Sequence, residues 1–198
     1  MAEKLSIEIF RRKDAEDFTK ALADPESRTA VGSGAAMTAA LAAAYLHRAA
    51  ALCAADRAGD ERLEWLLRNS ETLRSYMVKL IDEDVKCRGP LRRARSEGDP
   101  RKIEAAHQPA AAIANEIVNM MTQCLELLAE LKTSADGEAK VYVRAAAELA
   151  MGAIRACMHY TVAMSLGCGD ETWRYIVRRE NELTLEQYLK VYEAVLAE

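Results

Sequence analysis

Between positions 63 and 84, apolar side chains return every three or four residues, at Leu63, Leu66, Leu73, Met77 and Leu80, with Ser70 filling one place in the series. That spacing predicts a helix, beginning near Asp60, that turns one stripe toward a core. The next place in the register falls on Asp84, while its neighbours Asp82 and Glu83 point elsewhere. A carboxylate on an apolar stripe loses solvent, which raises its pKa unless a cation or hydrogen bonds answer it. Asp84 is therefore a candidate general acid or base. On spacing alone it is equally an Asp bonded to a neighbouring helix end or ion-paired for structure.

The same reading along the chain predicts other helices. Residues 14 to 23 place Phe18 and Leu22 on one face of a short helix, ended by Asp24-Pro25. Thr29-Ala30-Val31-Gly32-Ser33-Gly34 reads as a glycine turn feeding a helix that runs to about Asp56, in which twelve of the residues from Ala35 to Ala55 are alanine. Such a turn leaves backbone N–H groups at the positive end of the helix dipole, suited to an anionic or carbonyl-bearing ligand; the plainer reading is a flexible entry to a packed helix. Gly89-Pro90 ends the third helix. A fourth follows with Ile103, Ala106, Ala110, Ile113, Ile117, Met120, Cys124, Leu127 and Leu131 in register, and with a kink or restart expected near His107-Gln108-Pro109. A fifth has Val141, Ala145, Leu149, Gly152, Ala156, Tyr160 and Ala163 as its seam and ends at Gly167-Cys168-Gly169-Asp170. In the tail, Thr184-Leu185-Glu186-Gln187 resembles a helix start. The fold expected is all-α: an up-and-down bundle of about five long helices plus short terminal ones, in a single domain spanning the 198 residues.

Composition supports helices, with only nine glycines and four prolines. A net charge of −4 gives no global attraction to nucleic acid or an acidic membrane. One segment is locally basic: Lys86, Arg88, Arg92, Arg93, Arg95, Arg101 and Lys102 face only Glu97 and Asp99 between positions 86 and 102. It reads as a connecting loop, solvated or holding an anionic ligand tail, and no aromatic residues interleave with it as single-stranded nucleic acid would require. The opening Met1 to Leu5 lacks the apolar core of a signal peptide, and the alanine stretch makes a poor membrane span. Five scattered cysteines without a Cys-x-x-Cys pair point to reduced thiols in the cytoplasm. His47, His107 and His159 fall on different helices without metal-ligand spacing, so no metal site is expected. Phosphate-binding loops and a serine nucleophile elbow are absent from the sequence.

The short leading helix, the threonine-containing glycine turn opening an alanine-rich helix, Leu80-Ile81-Asp82-Glu83-Asp84, and Ala105-Ala106-His107-Gln108-Pro109 together resemble the cyclodeaminase/cyclohydrolase family. This family includes methenyltetrahydrofolate cyclohydrolases and the cyclodeaminase domain of formiminotransferase-cyclodeaminase. The resemblance extends from about Asp14 to Leu166 and implies an all-α homodimer that binds a folate between helices, with a tetrahydrofolate derivative as substrate and no tightly bound cofactor. Asp84 matches the family's catalytic aspartate. The family's Thr-Pro-Gly-Gly-Gly stands here as Thr29-Ala30-Val31-Gly32-Ser33-Gly34, and Val85-Lys86-Cys87-Arg88 replaces an Ala-x-Ala-Phe pattern. In the fifth helix Tyr142-Val143 stands in place of a Ser-Asp pair, and Thr161-Val162-Ala163-Met164-Ser165 in place of Asn-Val-x-Ile-Asn.

The activity so implied is a folate-dependent one-carbon reaction. Either water attacks the bridge of methenyltetrahydrofolate, or internal attack on a formimino group expels ammonia, with Asp84 handling the proton. Thr29, Gly32, Ser33 and Gly34 would position the folate, and Arg88 and Arg92 would meet its glutamate tail. The altered glycine turn and fifth helix equally suit a non-catalytic or repurposed relative that binds another ligand or partner through the same helical dimer.

Overall fold

The structure, a computed structural model, describes residues 8–55 and 57–197. Among them the chain forms a 3-10 turn, Phe10–Arg12, and eight α-helices: α1 (Ala15–Ala23), α2 (Val31–Ala55), α3 (Glu61–Cys87), α4 (Gly89–Glu97), α5 (Pro100–Ala110), α6 (Ala112–Lys132), α7 (Gly137–Leu166) and α8 (Glu171–Leu196). The five long ones, α2, α3, α6, α7 and α8, make the expected all-α bundle. Met1 to Leu5, read for a signal sequence, and Asp56, the anticipated end of the second helix, lie outside the described residues.

Paired contacts fix the direction of each neighbour. The Ser33 hydroxyl meets Asp84, and His47 Nδ1 lies 3.0 Å from Ser70 Oγ, so α2 and α3 run antiparallel. Tyr45 stacks edge-on against Tyr142 while Arg48 reaches Glu138, which makes α2 and α7 antiparallel as well. Arg62 with Glu130, and Tyr76 with Glu116, set α6 antiparallel to α3. Asn181 with Thr161, and Tyr192 with Glu148, set α8 antiparallel to α7. At the centre is α2, whose alanines leave room for α3 and α7 to pack along its length, with Leu46 the one large side chain it buries fully. By length and composition α2 could cross a membrane, yet half of that stretch is buried inside the bundle.

The stripe of α3 is as its spacing predicts: Leu63, Leu66, Ser70, Leu73, Met77, Leu80 and Asp84 are all buried. Asp60 caps the helix by accepting from the backbone N–H of Arg62 and Leu63. Pro109 stands in the last turn of α5, and the chain restarts at Ala112, so the expected break is present three residues further on.

Four local expectations change. Gly32-Ser33-Gly34 is the first turn of α2 itself rather than a loop before it. The basic segment is helical, with Pro90 in the opening turn of α4 and Gly98, at φ 67°, closing it in the left-handed conformation that glycine adopts without strain. The inward face of α7 carries Val143, Ala147, Ala150, Ile154, Cys157 and Thr161, whereas Val141 is 64% exposed. Alanine on every side of that helix leaves little contrast to mark the buried face. Finally, Thr184 starts nothing: α8 runs unbroken from its cap at Asp170, and no glycine or proline interrupts it.

Candidate active site

Asp84 lies in the last turn of α3, wholly buried, against the first turn of α2. Ser33 Oγ donates to its Oδ2 at 2.7 Å. Gly32 lies so close that a Cβ at that position would overlap Oδ1. Only a residue without a side chain permits this approach of helix end and carboxylate. Opening N–H groups of a helix have no intrahelical acceptor and carry the positive end of its dipole, so an anion in this place is favoured.

Burial nevertheless dominates the balance and raises the pKa of Asp84; the Ser33 hydroxyl, the Arg88 guanidinium and the Ser33 backbone N–H pull it partway back. Oδ1 has no hydrogen-bond partner among the described residues. A buried carboxylate with one oxygen bound and the other unpartnered can exchange a proton with a group brought beside it.

Arg88 joins the C-terminus of α3 to the start of α4 and donates through Nη1 to the carbonyl of Arg28 at 3.2 Å. Beyond it, a cavity of about 490 Å³ is lined by Ile9, Val85 and Gly89 and by the cations Arg11, Arg28, Lys86, Arg92 and Arg93, with Glu8 and Asp82 as its acids. Arg11 pairs with Asp82 and Lys86 with Glu83, whereas Arg28, Arg92 and Arg93 make no ion pair among the described residues. Partial burial and the neighbouring Arg28, Arg88 and Arg93 draw the pKa of Arg92 down, the signature of cations crowded without an anion.

Of the residues expected at the site, Gly32, Ser33 and Asp84 are in direct contact, Arg88 acts on the carboxylate electrostatically, and Arg92 lines the adjacent cavity. Thr29 stands apart: its hydroxyl donates to the Ala21 carbonyl at 2.8 Å and ties α1 to the start of α2. Gly34 faces Leu22 rather than Asp84. Asp82, though it leaves the α3 stripe as predicted, is also buried, accepting from the backbone N–H of Phe10 at 2.8 Å and of Arg11 at 3.3 Å. It fastens the 3-10 turn to α3.

Two neighbours on α7 carry no signal in the sequence beyond that of packing residues. Cys157 and Tyr160 are buried within the field of Asp84. Burial, with Asp84 adding to it, pushes the Cys157 thiol up to about 12, so it is no nucleophile near neutral pH. Among the described residues no group of three or more His, Cys, Asp or Glu side chains is placed to hold a metal ion.

Residues 14–180 match the formiminotransferase-cyclodeaminase family. The chain belongs to that family. Its backbone superposes on the crystal structure of formiminotetrahydrofolate cyclodeaminase from Thermotoga maritima with a TM-score of 0.84, at 17% identity, covering 93% of this chain and 94% of the other. The cyclodeaminase bundle is thus kept although most side chains differ. A comparison with curated proteins finds no match.

Proposed function

We propose that this member of the formiminotransferase-cyclodeaminase family is a folate-dependent one-carbon enzyme that uses Asp84 to move the proton. The observation that carries the reading is the buried carboxylate itself, held at the start of α2 with one oxygen on Ser33 and the other unpartnered. On formiminotetrahydrofolate, the folate's neighbouring unsubstituted amine would add to the formimino carbon, forming a C–N bond and passing its proton to Asp84. The carboxyl would return that proton to the departing nitrogen as its C–N bond breaks, and a second proton from solvent completes ammonia. On methenyltetrahydrofolate, water would add to the bridging carbon and give one proton to Asp84, which would pass it to the folate nitrogen whose C–N bond breaks; the other proton goes to solvent and formyltetrahydrofolate remains.

The cavity beside Arg88 supports the placing of an anionic tail. Arg28, Arg92 and Arg93 offer paired, planar donors to carboxylates, and Ile9 and Val85 add an apolar part to the lining. A homodimer would cover the outer edge of the two central helices, where Leu41, Tyr45 and Val141 are exposed along α2 and α7. The five free thiols suit a reducing compartment such as the cytoplasm.

A second reading has an observation of its own. Asp84 has no exposed surface and bonds to the first turn of α2, as a purely structural helix-capping carboxylate would. On that reading the chain is a non-catalytic or repurposed relative. Calorimetry and thermal shift with formimino-, methenyl- and formyltetrahydrofolate separate the two: the first requires saturable binding of at least one folate and a rise in Tm, and binding of none of them overturns it.

A further inference from the structure

Tyr160 is the second buried group at this place with an unmatched polar function. Only 8% of the residue is exposed, and its O–H meets no acceptor among the described residues; the Arg88 guanidinium beside it can only donate to the phenol oxygen. A buried O–H with no acceptor costs stability, so its presence calls for another use.

Its position follows from the helix register. With Tyr45 against Tyr142 and Arg48 against Glu138, the antiparallel pairing of α2 and α7 carries Cys157 and Tyr160 to the first turn of α2 and just beyond it. That is where Gly32 and Ser33 meet Asp84. Ser33 and Asp84 thus close this end of the bundle from α2 and α3, and Tyr160 closes it from α7. Burial, countered by the nearby Arg88, raises the phenol's pKa, and Asp84 adds to the rise, which keeps the hydroxyl protonated at neutral pH. It is a donor there.

We propose that the Tyr160 hydroxyl is a substrate-contacting hydrogen-bond donor of the Asp84 site, gripping the nitrogen or oxygen of the one-carbon group while the unpartnered Oδ1 of Asp84 takes its proton. The inference rests on the folate reading above and deepens it by naming a second catalytic group, on a different helix. Donor and acceptor would then hold the reacting group from two sides, and in the complex the O–H would gain an acceptor and Oδ1 a donor. The tyrosine transfers no proton in this scheme; it orients the group and stabilises charge that develops on it.

The test compares the wild-type chain with Tyr160→Phe, measuring ammonia release from formiminotetrahydrofolate, hydrolysis of methenyltetrahydrofolate, Tm without ligand, and the rise in Tm with each folate. The expected result is a Tm equal to or above wild type together with a kcat about 10- to 100-fold lower, as loss of one preorganised donor produces. A smaller ligand-induced rise in Tm should accompany it. An active wild type with Tyr160→Phe at the same kcat overturns this inference and leaves the folate reading standing, as does a variant that fails to fold, which would make the hydroxyl structural. A wild type that neither binds nor turns over any of these folates overturns the folate reading and this inference with it.

Discussion

Gly32 and Asp84 are fitted to one another: the absent side chain at position 32 is what allows the carboxylate to lie against the opening turn of α2. Gly32→Ala forces Oδ1 and the new methyl into the same space. Overpacking of a closed site costs about 1–3 kcal/mol, and the carboxylate has no exposed direction in which to retreat. In an Asp84→Ala background the same substitution should cost much less, since the overlap is gone. Urea unfolding of the four proteins of this double-mutant cycle measures the coupling, and additive effects would contradict the fit.

Asp84 should also leave a mark on stability as a function of pH. Its pKa is raised above 3.8 by burial, so the folded chain keeps a proton that the unfolded chain has already released. Stability therefore falls as pH rises from the unfolded pKa through the folded one, and the deficit remains above it. Asp84→Asn removes that dependence and should equal or exceed wild type in stability at neutral pH. Ser33→Ala removes the hydroxyl that favours the ionised form, so the carboxyl pKa should rise further and the acid limb of any activity profile should move to higher pH. Parallel stability profiles for wild type and Asp84→Asn between pH 4 and 8, following standard carboxylate ranges, would contradict this electrostatic account.

Asp82 makes a contrasting prediction. It holds the Phe10 and Arg11 amides and pairs with Arg11, a structural task two residues before Asp84. Asp82→Ala should cost about 1–3 kcal/mol by leaving a buried N–H unpaired. Hydrogen exchange at Phe10 and Arg11 should quicken more than exchange in α2 or α3.

These two carboxylates show which parts of the molecule are readable from sequence. The alternation of three and four along α3, interrupted by charge on the other faces, leaves one solution for its buried stripe and puts Asp84 at its end. The same method misplaces the face of α7, because alanine packs inward and outward alike. It also places a helix start at Thr184, because a Thr-x-x-Gln pattern marks a helix start only where a break precedes it, and α8 has none. The glycine motif is legible as important, but its role comes from a carboxylate 52 positions away, at Asp84, which local pattern does not contain. Thr29, three positions before Gly32, is taken up by the Ala21 carbonyl instead. Tyr160 reads as packing because its meaning depends on how α7 meets the ends of two other helices.

The outer edge of α2 and α7 gives a prediction about assembly. Leu41 is 47% exposed and Val141 64%, on helices that otherwise form the centre of the bundle. Wild type should sediment as a dimer, and Leu41→Asp combined with Val141→Asp should yield monomers by sedimentation velocity with helical content unchanged. A wild-type chain that is monomeric at micromolar concentration would contradict the proposed dimer.

The most direct measurement is ammonia release from formiminotetrahydrofolate by purified wild-type chain, with the Asp84→Asn variant alongside and both shown to be folded by circular dichroism. Wild type should release ammonia well above the uncatalysed rate, and the variant should be slower by about 100-fold or more, the contribution of a positioned proton-transfer group. Equal rates for the two folded proteins, or no release by either, would contradict a catalytic role for Asp84.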